Sequence, residues 1–180
     1  MRWMWIDRVI ELEHKQRLVS IKHISMAEDH IHDHFAATDS RPQIPVMPMS
    51  LVVEGMAQTA GILVGHASDF KEKVVLAKVA KATLTRDPTP GCTLRYTATI
   101  DRLTETGAST SGVIDLFDPS QLSADYPDAG PAQPERIGEI DLIFSHLDRN
   151  ISGTQYPKEN FVFSDSFRTI LRTSGIESSF

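Results

Sequence analysis

The chain has 180 residues, 41% of them hydrophobic and 23% charged, and a formal net charge of −6. That composition belongs to an ordinary globular domain with enough apolar material for one good core. The acidic balance argues against a general nucleic-acid binder, because such a surface repels phosphate unless a basic patch is segregated on it. Cys92 is the single cysteine, which excludes an intramolecular disulfide and suits a reducing compartment. The first residues lack the apolar run of a signal peptide, so the expected location is the cytoplasm.

Residues 3–12 and 17–25 are rich in β-branched and large apolar side chains and flank Glu13-His14-Lys15-Gln16, which reads as a hairpin. His30, His32 and His34 then alternate, so an extended backbone would put all three on one face. That pattern invites a metal reading, since imidazole is a common zinc ligand. No further His or Cys cluster follows in a chain with 7 histidines, and no metal is expected. On this reading His30 and His32 are surface residues of a loop.

The stretch from Pro45 to Gly65 predicts a central helix, with Pro48 where a first turn tolerates a missing N–H. From Leu51 to Val64 apolar residues fall on every face, the mark of a buried helix. Glu54 and Gln58 interrupt the run, so it is no membrane span. A buried carboxylate is costly unless paired or functional, which singles out Glu54. The structural alternative ties Glu54 to Gln58 or to loop backbone, and Gln58 reads more as a hydrogen-bonding prop than as a catalyst. Gly61-x3-Gly65 reads as small residues permitting close contact with a sheet.

After a polar break at 68–73, strands are predicted over 74–86, 92–102, 108–117 and 137–147, with a Pro88-Thr89-Pro90-Gly91 turn after the first. Residues 118–135, proline-rich and poor in apolar content, read as a surface loop or insert. The expected division is a domain over 1–149 and a C-terminal extension over 150–180, the latter with a short amphipathic helix at 164–173. Propensity alone supports an α+β class.

Separated motifs now fall into order: Trp5-Ile6-Asp7-Arg8-Val9, Glu28-x5-His34-Phe35, Pro45-Val46-Met47-Pro48, and Glu54-x-Met56-Ala57-Gln58. Together they resemble the β-hydroxyacyl-acyl-carrier-protein dehydratases of the FabZ and FabA type, over residues 3–147. The likeness implies a hot-dog fold, a curled antiparallel sheet wrapped around the central helix. It implies dehydration of carrier-bound (3R)-3-hydroxyacyl thioesters to trans-2-enoyl thioesters, with His34 as base and Glu54 as proton donor to the leaving hydroxyl. Phe35, Met49, Ser50 and Gln58 would be the substrate-binding positions, with Met49 where the family has a glycine whose N–H meets the thioester carbonyl. The loop from Ala36 to Ile44 is about six residues longer than in that family, an insertion that costs a fold little but bears on the geometry of the site.

The resemblance also implies a homodimer, or a trimer of dimers, with each site shared between subunits. Its partner would be an acyl carrier protein bearing a phosphopantetheine-linked acyl chain. That acidic carrier would dock on a basic face, for which Lys71, Lys73, Lys78, Lys81 and Arg86 are the candidates. No Gly-x-Gly-x-x-Gly or phosphate loop occurs, and no cofactor is expected. Two alternatives stand beside the dehydratase: a hot-dog thioesterase in which Glu54 activates water, and a non-catalytic acyl-binding protein.

Overall fold

The computed structural model describes residues 3–121, 133–147 and 162–176. Six strands form one antiparallel sheet: β1 (Arg8–Glu13), β2 (Arg17–His23), β3 (Val74–Leu84), β4 (Thr93–Thr104), β5 (Gly107–Phe117) and β6 (Glu135–His146). Their spatial order is β1-β2-β4-β5-β6-β3. Among the described residues three helices accompany them: α1 (Asp29–Asp33), α2 (Met49–His66) and α3 (Asp165–Thr173). The sheet curls around α2, the hot-dog architecture that the motifs led us to expect. Register shifts in β1, β3, β4 and at the β5–β6 pairing supply the bend, because a bulge adds local twist and turns a strand aside.

The central helix is buried from Gly55 to Gly65 save for Gly61, and it covers an apolar sheet face that includes Leu18, Leu94, Tyr96, Ala98, Ile114 and Leu142. The close approach falls at a different glycine from the pair that the sequence suggests. A Cβ at Gly55 would stand 2.5 Å from the Tyr96 hydroxyl and 2.9 Å from the Trp5 carbonyl, whereas one at Gly61 would meet Phe144 at an ordinary 3.7 Å. At Gly65 the tight neighbours are aromatic rings, with Phe163 at 2.5 Å and Phe70 at 2.9 Å.

Phe163 brings in the C-terminal segment. It stacks edge-on against Phe70 (centroids 5.0 Å apart), and with Ile170 and Leu171 it belongs to the same buried cluster as the central helix. The hydroxyl of Ser174, just past α3, accepts the backbone N–H of Val9 at 3.1 Å. The tail thus packs on the domain and caps the outer side of β1, one of the two open edges of the sheet. The other edge, β3, pairs with β6 alone among the described residues.

The first strand is shorter than the sequence suggests. Residues 3–6 leave the sheet and cross the central helix, tied there by the side chain of Gln58. Within the predicted insert, Pro119–Gln121 form one 3₁₀ turn and residues 122–132 lie outside the described residues. Among the described residues no helix is long and apolar enough to cross a membrane.

Candidate active site

The segment carrying the three histidines is helical, not extended, and that changes which of them share a face. In α1 successive residues rotate by about 100°, so His30 and His34 line up one turn apart while His32 turns away. His32 is exposed, as a loop residue would be, but His30 is half-buried against Trp5, with ring centroids 4.9 Å apart. Burial pushes the His30 imidazole below its ordinary value, with Lys22 and His34 adding to the effect and Glu28 and Asp29 opposing it. Among the described residues no group of three or more His, Cys, Asp or Glu is gathered as metal ligands would be.

A five-residue helix cannot hold itself by propensity, so tertiary contacts set α1. Ile31 is fully buried beneath it. The ammonium of Lys22, 5% exposed, reaches Glu28 at 2.5 Å and Asp7 at 3.2 Å, pinning the start of α1 to the sheet. Glu28 also accepts the Ser25 N–H, and Asp7 accepts the His23 N–H. At the other end the Gln43 amide donates to the carbonyls of Ile31 and His32.

The longer loop closes on itself. Thr38 and Arg41 exchange backbone hydrogen bonds at 2.8 and 3.3 Å, making a small closed turn. The Ile44 N–H donates to the Phe35 carbonyl at 3.0 Å, so the eight residues between them are pinched off as an excursion. Arg41 lies over the Phe35 ring at 5.9 Å and donates to the Ala36 carbonyl, folding the loop back on its own base.

His34 and the start of α2 face one cleft of about 550 Å³, whose walls include Trp3, Trp5, His30, Pro48, Ser50 and Leu51. Pro48 is the N-cap; the backbone N–H groups of Met49 and Ser50 have no hydrogen-bond partner among the described residues. Free N–H groups and the positive end of the helix dipole favour negative charge there. The His34 imidazole, exposed and edge-on to Phe35 at 4.2 Å, likewise has no hydrogen-bond partner among the described residues. An imidazole without a partner among the described residues therefore opens into the same cleft as the start of α2.

A family model for the FabA-like domain matches residues 2–116 of this sequence. The chain belongs to that family. A 3-hydroxyacyl-[acyl-carrier-protein] dehydratase FabZ from Solibacter usitatus is 34% identical over 113 residues, covering 62% of this chain and 65% of the relative. Another FabZ, from Caldanaerobacter subterraneus, is 36% identical over 102 residues, covering 56% of this chain and 68% of its own. Among solved structures, the dehydratase heterocomplex ApeI:P from Xenorhabdus doucetiae superposes with a TM-score of 0.55 at 17% identity, over 80% of this chain and 83% of that one. At that identity the superposition speaks for the fold alone.

Of the family positions read from the sequence, the cleft gathers His34 and Ser50. Glu54 lies one turn beyond Ser50 on the same face of α2 and is not part of that wall. It is half-buried rather than enclosed, and its carboxylate accepts a hydrogen bond from Gln58 Nε2 at 3.0 Å. Gln58 is 5% exposed and fully occupied: Oε1 accepts the Trp5 N–H at 2.9 Å, and Nε2 also donates to the Trp3 carbonyl. Those bonds make it an internal prop. Phe35 and Met49 are 38% and 39% exposed and stand outside the cleft wall of the single chain.

The basic face is largely neutralised. Lys81 pairs with Glu139, Arg86 with Glu135 and Asp118, and Lys71 with Asp69, while Lys73 is buried. Lys78 keeps a solvent position on β3. Two residues that shape the FabA-like site escaped the sequence reading. Lys22 looks like a solvent residue of a hairpin, and only its register with Leu18 and Ser20 would have put it inside. Trp5 sits in a motif whose aspartate and arginine drew the eye.

Proposed function

We propose that the protein is a lyase that dehydrates (3R)-3-hydroxyacyl thioesters held on an acyl carrier protein, yielding trans-2-enoyl thioesters for fatty acid biosynthesis. The observation that carries this reading is the juxtaposition of an unpaired His34 imidazole and the open N-terminus of α2 across one cleft. His34 takes the C2 proton while the Met49 and Ser50 N–H groups stabilise charge on the thioester oxygen. The C2 electron pair then closes the C2–C3 double bond, the C3–O bond breaks, and Glu54 supplies the proton with which the hydroxyl leaves as water. The FabZ relatives carry the same activity in their names. The cytoplasm, where Cys92 stays reduced, is the compartment we assign.

We further propose a two-fold dimer. With β1 capped by the C-terminal segment, β3 is the remaining open edge, and beside it Leu76, Val79 and Ile143 are 40–41% exposed. Pairing β3 with its counterpart in a second copy would satisfy that edge and cover those side chains. Such a dimer allows Glu54 of one subunit to complete the cleft holding His34 of the other, which accounts for its place outside the single-chain wall.

The test follows a 3-hydroxybutyryl thioester on carrier protein, reading enoyl absorbance for dehydration and free thiol for hydrolysis. Wild type should form enoyl product without thiol release. Glu54→Gln should lose about 10²–10⁴-fold in turnover with its fold intact, the usual contribution of a positioned acid. Thiol release without enoyl product would make the protein a thioesterase; neither product from any acyl length would make it a binding protein.

A further inference from the structure

We infer that Trp5 and His30 are positioning residues for His34, and that Gln58 joins them to Glu54 in one connected unit. The inference rests on the dehydratase reading for its kinetic consequences, but its geometry stands without it. Starting from the carboxylate, Gln58 Nε2 donates to Glu54 at 3.0 Å, and Gln58 Oε1 accepts the backbone N–H of Trp5 at 2.9 Å. The Trp5 indole, 8% exposed, meets the His30 ring edge-to-face at 4.9 Å and 81°. One helical turn later the His34 N–H donates to the His30 carbonyl at 3.1 Å. The chain of contacts therefore runs unbroken from one proposed reacting group to the other, through one amide and two rings.

Each link has few ways to move. Gln58 holds the N-terminal segment at two points, the Trp5 N–H and the Trp3 carbonyl, and Trp3 in turn packs edge-on against Trp5 at 5.3 Å. The other anchors of α1, Lys22 and Gln43, grip its start and the backbone carbonyls near its end. Trp5 alone among these anchors bears on the face of α1 that His30 shares with His34. Without it Lys22, Gln43 and the buried Ile31 still hold α1 but the face that carries His30 and His34 loses its support, and a shift of about 1 Å at a reacting group can cost about 10²-fold in rate.

The rings are also chemically unusual for a packing contact. Trp5 Nε1 and His30 Nε2 are both buried, and neither has a hydrogen-bond partner among the described residues. Buried polar atoms of this kind call for a reason beyond filling space. Burial also disfavours a positive charge on His30, one turn from His34. Within one chain the unit fixes the two groups that the chain contributes, whether they serve one cleft or the two clefts of a dimer.

The experiment compares His30→Ala, His30→Phe and Trp5→Leu with wild type, each checked by circular dichroism and thermal midpoint. His30→Ala and Trp5→Leu should lower kcat about tenfold or more with KM little changed, and His30→Phe, which keeps an aromatic edge against Trp5, should recover most of it. The limbs of the pH–rate profile should not move. Side-chain histidine NMR gives a readout free of turnover: the His34 ring signals should broaden or split in the Ala and Leu variants and sharpen again in the Phe variant. Full activity and unchanged His34 signals in His30→Ala would overturn the proposal. So would a His30→Phe variant as slow as Ala with one pH limb lost, since the imidazole would then be reacting itself. If wild type dehydrates nothing, the function reading fails, and the NMR series still decides the positioning.

Discussion

Replacing Lys22 by methionine removes one ammonium from beneath the site while keeping most of the buried stem. In the native chain that ammonium lies 2.5 Å from Glu28 and 3.2 Å from Asp7, and the two carboxylate side chains are 24% and 37% exposed. Breaking a wholly buried pair by removing one partner costs about 3–5 kcal/mol, because a charge is left without solvent or counter-ion. Here both carboxylates recover part of their hydration, which brings the expected loss to about 1–2 kcal/mol. For a chain of this length that is a fall in Tm of about 2–8 °C. The loss of rate should be larger than the loss of stability suggests, because Glu28 would no longer tie α1 to the sheet and His34 rides on α1. We expect kcat to drop about tenfold with KM nearly constant. Thermal unfolding and steady-state dehydration measure the two effects, with Lys81→Met as the control. Lys81 pairs with Glu139 at 2.6 Å but is about half exposed, so its loss should leave Tm and kcat nearly unchanged. A Lys22→Met protein as stable as wild type would refute the account of the buried pair. One that is destabilised yet turns over normally would show that the brace does not hold the base.

Mixing His34→Ala with Glu54→Ala subunits should restore activity to about a quarter of all sites if each site is shared across a two-fold axis; no recovery after demonstrated subunit exchange would place both groups in one chain. Tyr96 is fully buried with a hydroxyl that has no partner among the described residues, so Tyr96→Phe should stabilise the protein by about 1–2 kcal/mol in chemical denaturation. His66 titrates below its ordinary value of 6.5, first because it is buried and then because His14 stands 3.1 Å away, with Asp69 opposing. Its unfolded form takes up the proton first, so this contribution is whole above the unfolded value and lost as pH falls from about 6.5 through the folded one; His66→Gln should flatten the stability profile in that window.

The elements themselves are written in local pattern. Apolar residues on every face of 51–64 can only be a helix inside something, and the alternation of Leu94, Tyr96, Ala98 and Ile100 can only be a strand with one face covered. Motif order then points to His34 and Glu54, because the short motifs around each residue are legible even though the loop between them is longer than the family's. What the sequence could not decide lies in residues whose partners are distant or whose local signal is double. Three histidines at every second position fit a strand as well as a short helix, and burial of Ile31 together with the grip of Lys22 and Gln43 selects the helix, which pairs His30 with His34. Nine residues from Ala36 to Ile44 look like a displaced loop until one hydrogen bond, Ile44 to Phe35, closes them off. Lys22 becomes a core residue because Asp7 and Glu28, one from before its strand and one from after it, meet it on the inner face of β2. The segment 162–176 docks where Ser174 meets Val9 and Phe163 packs beside Gly65 and Phe70, contacts with distant parts of the chain that no local periodicity encodes.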